Sequence, residues 1–225
     1  MKKLISLSLW GNNKVYTIGA VRFAEQSIEI YPDWDVRYYI SNDVPKQISS
    51  RLRELGCQII EMQKGNDWAG LFWRYYPIVN NEYDYTIFRD CDCRPTMEEK
   101  MEVDKWMESG RGVGTIHGHP YHFTVPILGG LFGIKKNACP QFGNLLKKWS
   151  AVSEWQDDQR FLTTEIFPLV MNDIYDSDML SKPPMKDYAF LGEPLNEHDE
   201  PLNNNFRSIL KNYHDTITFN KIQIT

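Results

Sequence analysis

The chain has 225 residues, which is enough for one α/β domain with a sizeable core. Its hydrophobic share of 42% and charged share of 24% are typical of a globular protein, and a net charge of -5 without a long basic run argues against a nucleic-acid backbone as partner. No apolar run approaches the roughly 20 residues that a membrane-spanning helix needs, so we expect a cytoplasmic protein whose membrane contact is at most peripheral.

The first 62 residues alternate between strand and helix patterns. The ten N-terminal residues predict a strand rather than a signal peptide, because serines interrupt the apolar run and no small-residue cleavage site follows. Helices are predicted over residues 16–30 and 45–55, and strands over residues 36–40 and 57–62. A β-α-β-α-β order implies parallel strands joined by right-handed crossovers, as in a nucleotide-binding half-domain.

The central feature of the sequence is the stretch 83–95. An apolar, β-branched and aromatic run predicts a buried strand, and this run stops at Asp90 and Asp92. Side chains at i and i+2 share one side of extended backbone, and ligands of open α/β sheets bind beyond the carboxyl ends of the strands. We therefore expect both carboxylates to face one small volume, where their oxygens suit Mg²⁺ or Mn²⁺ holding a diphosphate.

Two helices are predicted on either side of this strand. Residues 67–77 predict an aromatic helix in which Arg74 needs a carboxylate or phosphate partner, and Asp90 or a ligand phosphate is a candidate. Thr96 and Glu99 have the spacing of a capping box, which predicts a helix that buries Met97, Met101 and Trp106 and ends at Gly110.

The second half of the chain has weaker patterns. Strands are predicted over residues 113–116 and 126–135, the second with Gly129 and Gly130 inside it, which suggests that a ligand or another backbone comes close. Helices are predicted from Phe142 to Trp149 and from Asp157 onward. Residues 181–225 are rich in Pro and Asn, with a possible hairpin around residues 196–199 and a late alternating run over residues 216–224.

Histidines and cysteines offer alternative sites. His117, His119 and His122 have a spacing that would allow three imidazoles to bind Zn²⁺, as in a zinc-dependent hydrolase, although the Asp that usually precedes the last His is Tyr121 here. The competing interpretation is that His119 and His122 line the crevice or bind backbone carbonyls. The four cysteines have neither the density of a disulfide scaffold nor paired CxxC clusters, and we expect them to be reduced packing residues.

Six segments in this order resemble a group of bacterial and viral GT-A-fold glycosyltransferases. The segments are Trp10-Gly11, Phe72-Trp73-Arg74, Arg89-Asp90-Cys91-Asp92-Cys93-Arg94, His119-Pro120-Tyr121-His122, Ile127-Leu128-Gly129-Gly130-Leu131-Phe132-Gly133 and Asp158-Gln159-Arg160-Phe161-Leu162. The group has R-D-x-D-S-R, H-P-x-H and G-G-[ML]-[WF]-G motifs, and the likeness runs from about residue 5 to residue 178. It implies an α/β GT-A domain over residues 1–180, with a mostly parallel, Rossmann-like central sheet flanked by helices, and a loop-rich C-terminal extension over residues 181–225 packed on it.

The resemblance also implies an activity: transfer of a sugar from a nucleotide-sugar, most often a UDP-sugar, to a glycan or lipid-linked acceptor, in cell-surface polysaccharide synthesis. Asp92 would be the principal ligand of Mn²⁺ or Mg²⁺, and Asp90 would contact ribose, metal or both. Asp158 and Gln159 would be the catalytic pair of a retaining enzyme, whereas Asp158 or Asp157 would be the general base of an inverting one. The other implied contacts are to the donor, from Trp10, Gly11, Arg74, Arg89, Gly129 and Gly130, and on the acceptor side, from His119 and His122.

Three positions depart from the group's pattern. Cys93 replaces a Ser, and His117-Gly118 stands where Arg-Asp is usual. Tyr175 occupies the place of a His that would complete the metal shell, which leaves Asp176, Asp178 or water for that position. A non-catalytic protein that binds a nucleotide-sugar or glycan is therefore the alternative function.

Overall fold

A computed structural model describes residues 1–63, 68–149 and 154–223, and side chains as far as residue 217. Within these residues seven strands form one sheet in the order β3-β2-β1-β4-β6-β5-β7. The strands are β1 Lys3–Leu9, β2 Asp35–Ser41, β3 Gln58–Met62, β4 Tyr85–Arg89, β5 Val113–His117, β6 Leu131–Lys135 and β7 Ile174–Asp178. The helices are α1 Lys14–Ile30, α2 Lys46–Glu54, α3 Gly70–Trp73, α4 Tyr76–Asn80, α5 Met97–Ser109, α6 Phe142–Trp149, α7 Asp157–Phe161, α8 Phe167–Val170 and α9 Asn204–Gln223.

Strand direction determines where the site lies. Each described strand pair is parallel except the two pairs that β6 makes, with β4 and with β5. In consequence the carboxyl ends of β1, β4 and β5 and the amino end of β6 share one edge of the sheet. Arg89 is paired with Leu131, so the residues that follow β4 lie beside those that precede β6. The predicted α/β class and parallel first half are confirmed.

The two faces of the sheet bury different side chains. Successive residues of β4 belong to separate apolar clusters, Ile87 to one and Phe88 to the other, as the two-residue period of a strand requires. The first cluster includes buried residues of α1, α2 and α5. The second is an aromatic cluster around Tyr75, in which Phe88 and its cross-strand partner Phe132 have ring centroids 4.6 Å apart.

Helix α5 begins as predicted but buries a different face. The Thr96 hydroxyl accepts a hydrogen bond from the Glu99 N–H at 3.1 Å. Met97 and Met101 are more than half exposed, whereas Glu99, Glu102, Val103 and Trp106 are buried. The prediction that the two methionines face the core was wrong, because the acidic residues have buried partners: Glu99 contacts Arg89, and Glu102 accepts a hydrogen bond from Ser177.

Two other predicted elements are shorter than expected. The helix predicted over residues 67–77 is divided into α3 and α4, with Arg74 and Tyr75 between them and Pro77 in the first turn of α4; Asp67 lies outside the described residues. Gly129 and Gly130 lie in a turn before β6 rather than inside a strand. Both changes leave functional candidates on irregular backbone at the edge of the sheet.

The C-terminal residues form turns and a final helix. A single bridge between Leu195 and Pro201 agrees with the predicted hairpin. The late alternating run continues α9 as far as Gln223, so its alternation does not mark a strand there, and Ile224 lies outside the described residues. Leu180, Phe190 and Leu210 form a small apolar cluster of their own. Of the helices described, none has the length and apolar character needed to cross a membrane.

Candidate active site

Asp90 and Asp92 occupy a turn directly after β4, closed by a hydrogen bond from the Cys93 N–H to the Asp90 carbonyl at 3.4 Å. Between them Cys91 turns away and its thiol contacts the Ser8 carbonyl at 3.2 Å. Burial, together with the charge of Asp90, raises the pKa of the Asp92 carboxyl to about 7. Both carboxylates line the same clefts, as predicted, but a turn brings them together in place of the extended backbone on which that prediction was based.

Arg74 lies between two carboxylates. Its guanidinium donates to Asp90 and, at 2.5 Å, to Asp158 Oδ2, while its side chain is only 4% exposed. Strand β1 fixes its backbone, because the Ser8 hydroxyl accepts from the Arg74 N–H at 2.9 Å and the Ser6 hydroxyl donates to its carbonyl at 2.7 Å. The predicted partnership of Arg74 with Asp90 is confirmed, and the pairing with Asp158 was not foreseen.

Arg89 is not placed in the cleft. Its side chain is buried, its Nε donates to Glu99 Oε1 at 2.8 Å, and its Nη1 donates to the Phe88 and Phe132 carbonyls at 2.7 and 3.2 Å. Arg89 lines neither of the two clefts that contain Asp90 and Asp92. The expectation that Arg89 contacts a donor is corrected: Arg89 anchors the end of β4.

Asp158 and Gln159 approach the same edge from α7. Burial raises the pKa of Asp158, against the opposing effect of Arg74. Gln159 has both amide atoms engaged, because Oε1 accepts from the Gly129 N–H at 3.0 Å and Nε2 donates to the Ile127 carbonyl at 2.5 Å. Gln159 therefore positions the turn before β6. Asp157, the first residue of α7, accepts a hydrogen bond from the Glu154 N–H at 2.6 Å and forms an ion pair with Arg160.

Gly129 and Gly130 have no room for a side chain. A methyl group on Gly130 would overlap the Asp90 carboxylate, and one on Gly129 would lie 3.0 Å from Asp158 Oδ2 and 3.1 Å from Arg74 Nη2. The glycine pair is explained by this close approach to the charged side chains, in a turn rather than in the predicted strand.

On one side of the acidic turn lies a cleft of about 470 Å³, which we call the tryptophan cleft. It is lined by Trp10, Gly11, Tyr16, Trp68, Arg74 and Trp155, together with Asp90 and Asp92. Burial and the charges of Asp92 and Asp90 raise the pKa of Tyr16, which reflects its closeness to the acidic pair. Of the residues described there, Arg74 is the cationic one.

On the other side lies a cleft of about 290 Å³, which we call the histidine cleft. It shares Asp90 and Asp92 with the tryptophan cleft, and its further walls include His119, Tyr121, His122, Leu128, Phe190 and Phe206. The acidic pair therefore stands in the wall common to both clefts. A third cavity, of about 280 Å³ and lined by Thr86, Lys135 and Lys147, contains no carboxylate and lies at the opposite edge of the sheet.

The histidines are engaged by the protein itself. His117 pairs with Asp176 at 2.6 Å through Nδ1 and with the Val125 carbonyl at 3.2 Å through Nε2. His119 Nδ1 accepts from the Tyr121 N–H at 3.2 Å, and its Nε2 donates to the Phe206 carbonyl at 3.0 Å. Across residues 1–63, 68–149 and 154–223 no three His, Cys, Asp or Glu side chains form a metal-binding group. The zinc interpretation is therefore corrected, whereas His119 and His122 do line a cleft.

The metal-ligand set can be tested on the acidic turn. Two converging carboxylates, one with a strongly raised pKa, fit Mn²⁺ or Mg²⁺, which are commonly held by one or two carboxylates with water and substrate phosphates. Asp176 does not complete the set, since it pairs with His117, and Asp178 Oδ1 accepts from the Leu180 N–H at 2.9 Å. Tyr175 packs against the first apolar cluster.

The C-terminal segment is attached to the acidic turn, which sequence reasoning missed. The Leu195 N–H donates to the Asp92 carbonyl at 2.8 Å, and the Cys93 thiol to the Gly192 carbonyl at 3.4 Å. Arg94 Nε donates to Asp199 Oδ1 at 2.7 Å. The one signal of this attachment in the sequence was Arg94, a cation next to the two carboxylates. Its partner, Asp199, lies 105 residues further along the chain.

No family model matches the chain, and no curated protein matches it. Solved structures do. Glucosyl-3-phosphoglycerate synthase from Mycobacterium tuberculosis, in complex with Mn²⁺, uridine-diphosphate and phosphoglyceric acid, is 11% identical with a TM-score of 0.51, over 79% of this chain and 68% of that one. The mannosyltransferase PcManGT from Pyrobaculum calidifontis, in complex with GDP-Man and Mn²⁺, is 12% identical with a TM-score of 0.51, over 86% of this chain and 57% of that one.

A third solved structure widens the range of activities. The 4-diphosphocytidyl-2C-methyl-D-erythritol synthase from Anaerococcus prevotii is 10% identical with a TM-score of 0.51, over 78% of this chain and 87% of that one. Identities this low establish a shared fold only. The chain therefore has the GT-A fold of nucleotide-diphospho-sugar transferases.

Proposed function

We propose that this protein is a metal-dependent glycosyltransferase that moves a sugar from a nucleotide-sugar, most simply a UDP-sugar, to a hydroxyl of a glycan or lipid-linked acceptor. A role in cell-surface polysaccharide synthesis follows by analogy with the group that it resembles. The observation that supports this function best is the position of Asp90 and Asp92 in the wall shared by two clefts. A transferase needs such an arrangement, because donor and acceptor must meet at one reacting carbon.

The tryptophan cleft suits the donor. Its indole and phenol rings offer planes for a nucleobase, and Arg74 provides a fixed positive charge near a diphosphate. Mn²⁺ or Mg²⁺ held by Asp90 and Asp92 would neutralise the charge that develops on the departing diphosphate. Arg74 cannot do this alone, because its guanidinium is already shared between Asp90 and Asp158.

In the transfer, the bond between the anomeric carbon and the diphosphate oxygen breaks and a bond to the acceptor oxygen forms. The acceptor hydroxyl passes its proton to the departing diphosphate oxygen in the same process. Asp158 would lie near the anomeric carbon and stabilise its developing positive charge. The resemblance of Asp158 and Gln159 to the pair of retaining enzymes favours a retaining over an inverting reaction; proton affinity does not decide it, because burial raises the pKa of Asp158. Gln159 contributes by holding the Gly129 turn against the donor sugar.

The test is thermal unfolding with UDP, with and without Mn²⁺. We expect UDP to raise the Tm only when Mn²⁺ is present, by several degrees at about 100 times Kd, since such saturation adds roughly 2.7 kcal/mol. Asp92→Asn should abolish this shift. Asp104→Asn, which removes an exposed carboxylate that pairs with Lys100 on α5, should retain it. A UDP shift that is independent of metal and of Asp92 would contradict the proposal.

A second function is favoured by one observation. In the described part of the chain no third carboxylate or imidazole joins Asp90 and Asp92, and Tyr175 packs away from them. A protein that binds a nucleotide-sugar or glycan without turnover needs no complete metal shell. Retention of the Mn²⁺-dependent UDP shift together with no release of UDP from any UDP-sugar, across acceptors, would support this second function.

A further inference from the structure

The walls of the histidine cleft carry no positive charge. None of its described lining residues is Lys or Arg, and its acidic side chains are Asp90 and Asp92. Burial lowers the pKa of the His119 and His122 imidazoles, that of His122 to about 3. Both rings are therefore neutral at pH 7. Arg207, which follows the lining residue Phe206, is engaged by both carboxylate oxygens of Glu193 at 2.6 and 2.7 Å. An anionic ligand would therefore find no cationic side chain to pair with in the described walls, and the divalent cation of the proposed function would already be shared with Asp90, Asp92 and the donor diphosphate.

The same walls present aromatic faces. Tyr121 is 54% exposed and packs edge to face against Phe206, with ring centroids 6.0 Å apart. Phe190 packs on His119 with centroids 4.7 Å apart, and Leu128 closes the cleft from the turn before β6. A pyranose ring has one face of C–H groups, which suits the electron-rich face of an aromatic ring. The cleft therefore combines stacking surface with negative charge.

His122 supplies a directional hydrogen bond. Its Nδ1 accepts from the Gly118 N–H at 3.1 Å, which places the proton of the neutral ring on Nε2. Among the described residues Nε2 has no protein partner, and it is not one of the buried polar atoms that lack one. A neutral N–H donor that lines the cleft can bind a sugar hydroxyl without requiring a negative charge.

We propose that the histidine cleft binds the acceptor as an uncharged sugar ring, stacked on Tyr121 and its aromatic neighbours and hydrogen-bonded by His122, and that it excludes phosphorylated or carboxylated acceptors. The proposal rests on the proposed function, because the cleft is an acceptor site only if the tryptophan cleft holds the donor. It adds the chemical class of acceptor and two specificity-determining residues, Tyr121 and His122.

The first test compares matched ligands on the full chain. Methyl glycosides of glucose, galactose and mannose and their 6-phosphates and uronates are titrated, in the presence of Mn²⁺ and UDP, by saturation-transfer NMR. At least one neutral glycoside should bind about tenfold or more tightly than its charged counterparts, because facing like charges weaken binding strongly. Equal or tighter binding of the charged sugars, or no binding of any neutral sugar with the Mn²⁺-dependent UDP shift intact, would overturn the acceptor proposal.

The second test uses variants of the cleft. Tyr121→Ala should weaken neutral-sugar binding about three- to tenfold, as expected for the loss of one stacking face, and His122→Phe should weaken it similarly. Phe123→Ala is the matched control, since Phe123 is exposed on the same turn but does not line the cleft. Tyr121→Arg should reverse the preference toward the 6-phosphates. Unchanged selectivity in Tyr121→Arg would contradict the electrostatic basis of the proposal.

The two proposals fail in different ways. Each variant is first checked for the Mn²⁺-dependent increase of Tm with UDP. Substitutions of Tyr121 and His122 should leave this increase intact, because neither residue lines the tryptophan cleft. If the wild-type chain binds neutral sugars but shows no such shift, the transferase function is overturned and the cleft remains a glycan site. If the shift is present and selectivity is absent, only the acceptor proposal is overturned.

Discussion

The two clefts share the acidic pair but differ in charge and in origin. The tryptophan cleft has a buried cation, Arg74, and draws its walls from β1, α1 and the segment between α3 and α4. The histidine cleft has no lining cation among its described residues, and its walls come from the turn after β5, the turn before β6 and the C-terminal segment. One cleft is suited to a charged ligand and the other to a neutral one.

This difference shows how one acidic turn can serve two ligands. Asp90 is paired with Arg74 on the tryptophan side, while the pKa of Asp92 is raised first by burial and then by the charge of Asp90. A divalent cation on Asp90 and Asp92 would offset their charge in the wall that both clefts share, while the other described walls of the histidine cleft would still lack a cationic side chain. Variants and a change of pH test this division between the clefts.

Arg74→Met should cost the most. Removing the guanidinium leaves Asp158 buried and unpaired, and breaking a buried ion pair costs about 3–5 kcal/mol. Urea unfolding should show this loss in the free energy of unfolding, and the double variant Arg74→Met with Asp158→Asn should recover part of it. Arg53→Met, which breaks an ion pair with Glu61 in which both side chains are exposed, should cost less than about 1 kcal/mol. If Arg74→Met lowers the free energy of unfolding by less than about 1 kcal/mol, the ion pair of Arg74 with Asp158 does not stabilise the wall of the tryptophan cleft.

Trp155→Ala tests the aromatic part of the tryptophan cleft. Its side chain is 65% exposed, so its removal should leave the free energy of unfolding nearly unchanged. Stacking of a base on an aromatic ring contributes about 1–3 kcal/mol, so the Kd for UDP with Mn²⁺ should rise by about tenfold or more. Tyr213→Ala on α9 is the aromatic control and lines neither cleft. Isothermal titration calorimetry measures the change, and an unaltered Kd would place the base elsewhere.

The acid stability of the protein tests the neutrality of the histidine cleft. The folded state holds the pKa of His122 at about 3, below its usual value near 6.5, so the unfolded chain binds a proton that the folded chain rejects. Stability from this residue is complete above about pH 6.5 and is lost as the pH falls toward 3. Between pH 7 and 5.5 the share of His122 in the free energy of unfolding should fall by about 1 kcal/mol. Because the pKa of Asp92 is raised to about 7, its protonation stabilises the folded state over the same range, so the share of His122 is read from the difference between wild type and His122→Asn.

The measurement is urea unfolding of the ligand-free protein at both pH values. His122→Asn should remove this loss, whereas His198→Asn, which changes a histidine in the turn near Asp199, should keep it. If wild type and His122→Asn lose the same free energy, His122 is not held neutral by burial, and the histidine cleft is not the uncharged site described above.

Sequence reasoning succeeded where the chain folds locally. The β-α-β-α-β order, the ends of α1 and the Thr96 cap depend on contacts a few residues apart, and the strand that ends at Asp90 is defined by its own apolar run. Asp90 and Asp92 do face one volume, but they do so in a turn and not in the extended backbone from which this was predicted. These features build one wall of the tryptophan cleft.

Sequence reasoning failed where the position of a side chain depends on a partner far along the chain. Arg89 and Arg94 both flank the acidic pair in sequence, and only the fold shows that the first pairs with Glu99 and the second with Asp199. Met97 has the spacing of a core residue, yet it is exposed because Glu99 has a buried partner. Gly129 and Gly130 were correctly associated with a close approach but not with Asp158 and Asp90, which approach them from elsewhere in the chain.

The smallest expected effect tests the attachment of the C-terminal segment to the acidic turn. Asp199 is 41% exposed, so Asp199→Asn should cost only about 0.2–1 kcal/mol in the free energy of unfolding. The same change should weaken neutral-sugar binding more than Mn²⁺-dependent UDP binding, because Phe190, Gly192 and Pro194 line the histidine cleft and not the tryptophan cleft. Asp215→Asn, which breaks an exposed pair with Lys211 on α9, is the matched control and should change neither. Equal weakening of both ligands would mean that the segment acts through the backbone of Asp92, to which Leu195 donates, and that the two clefts are not independent.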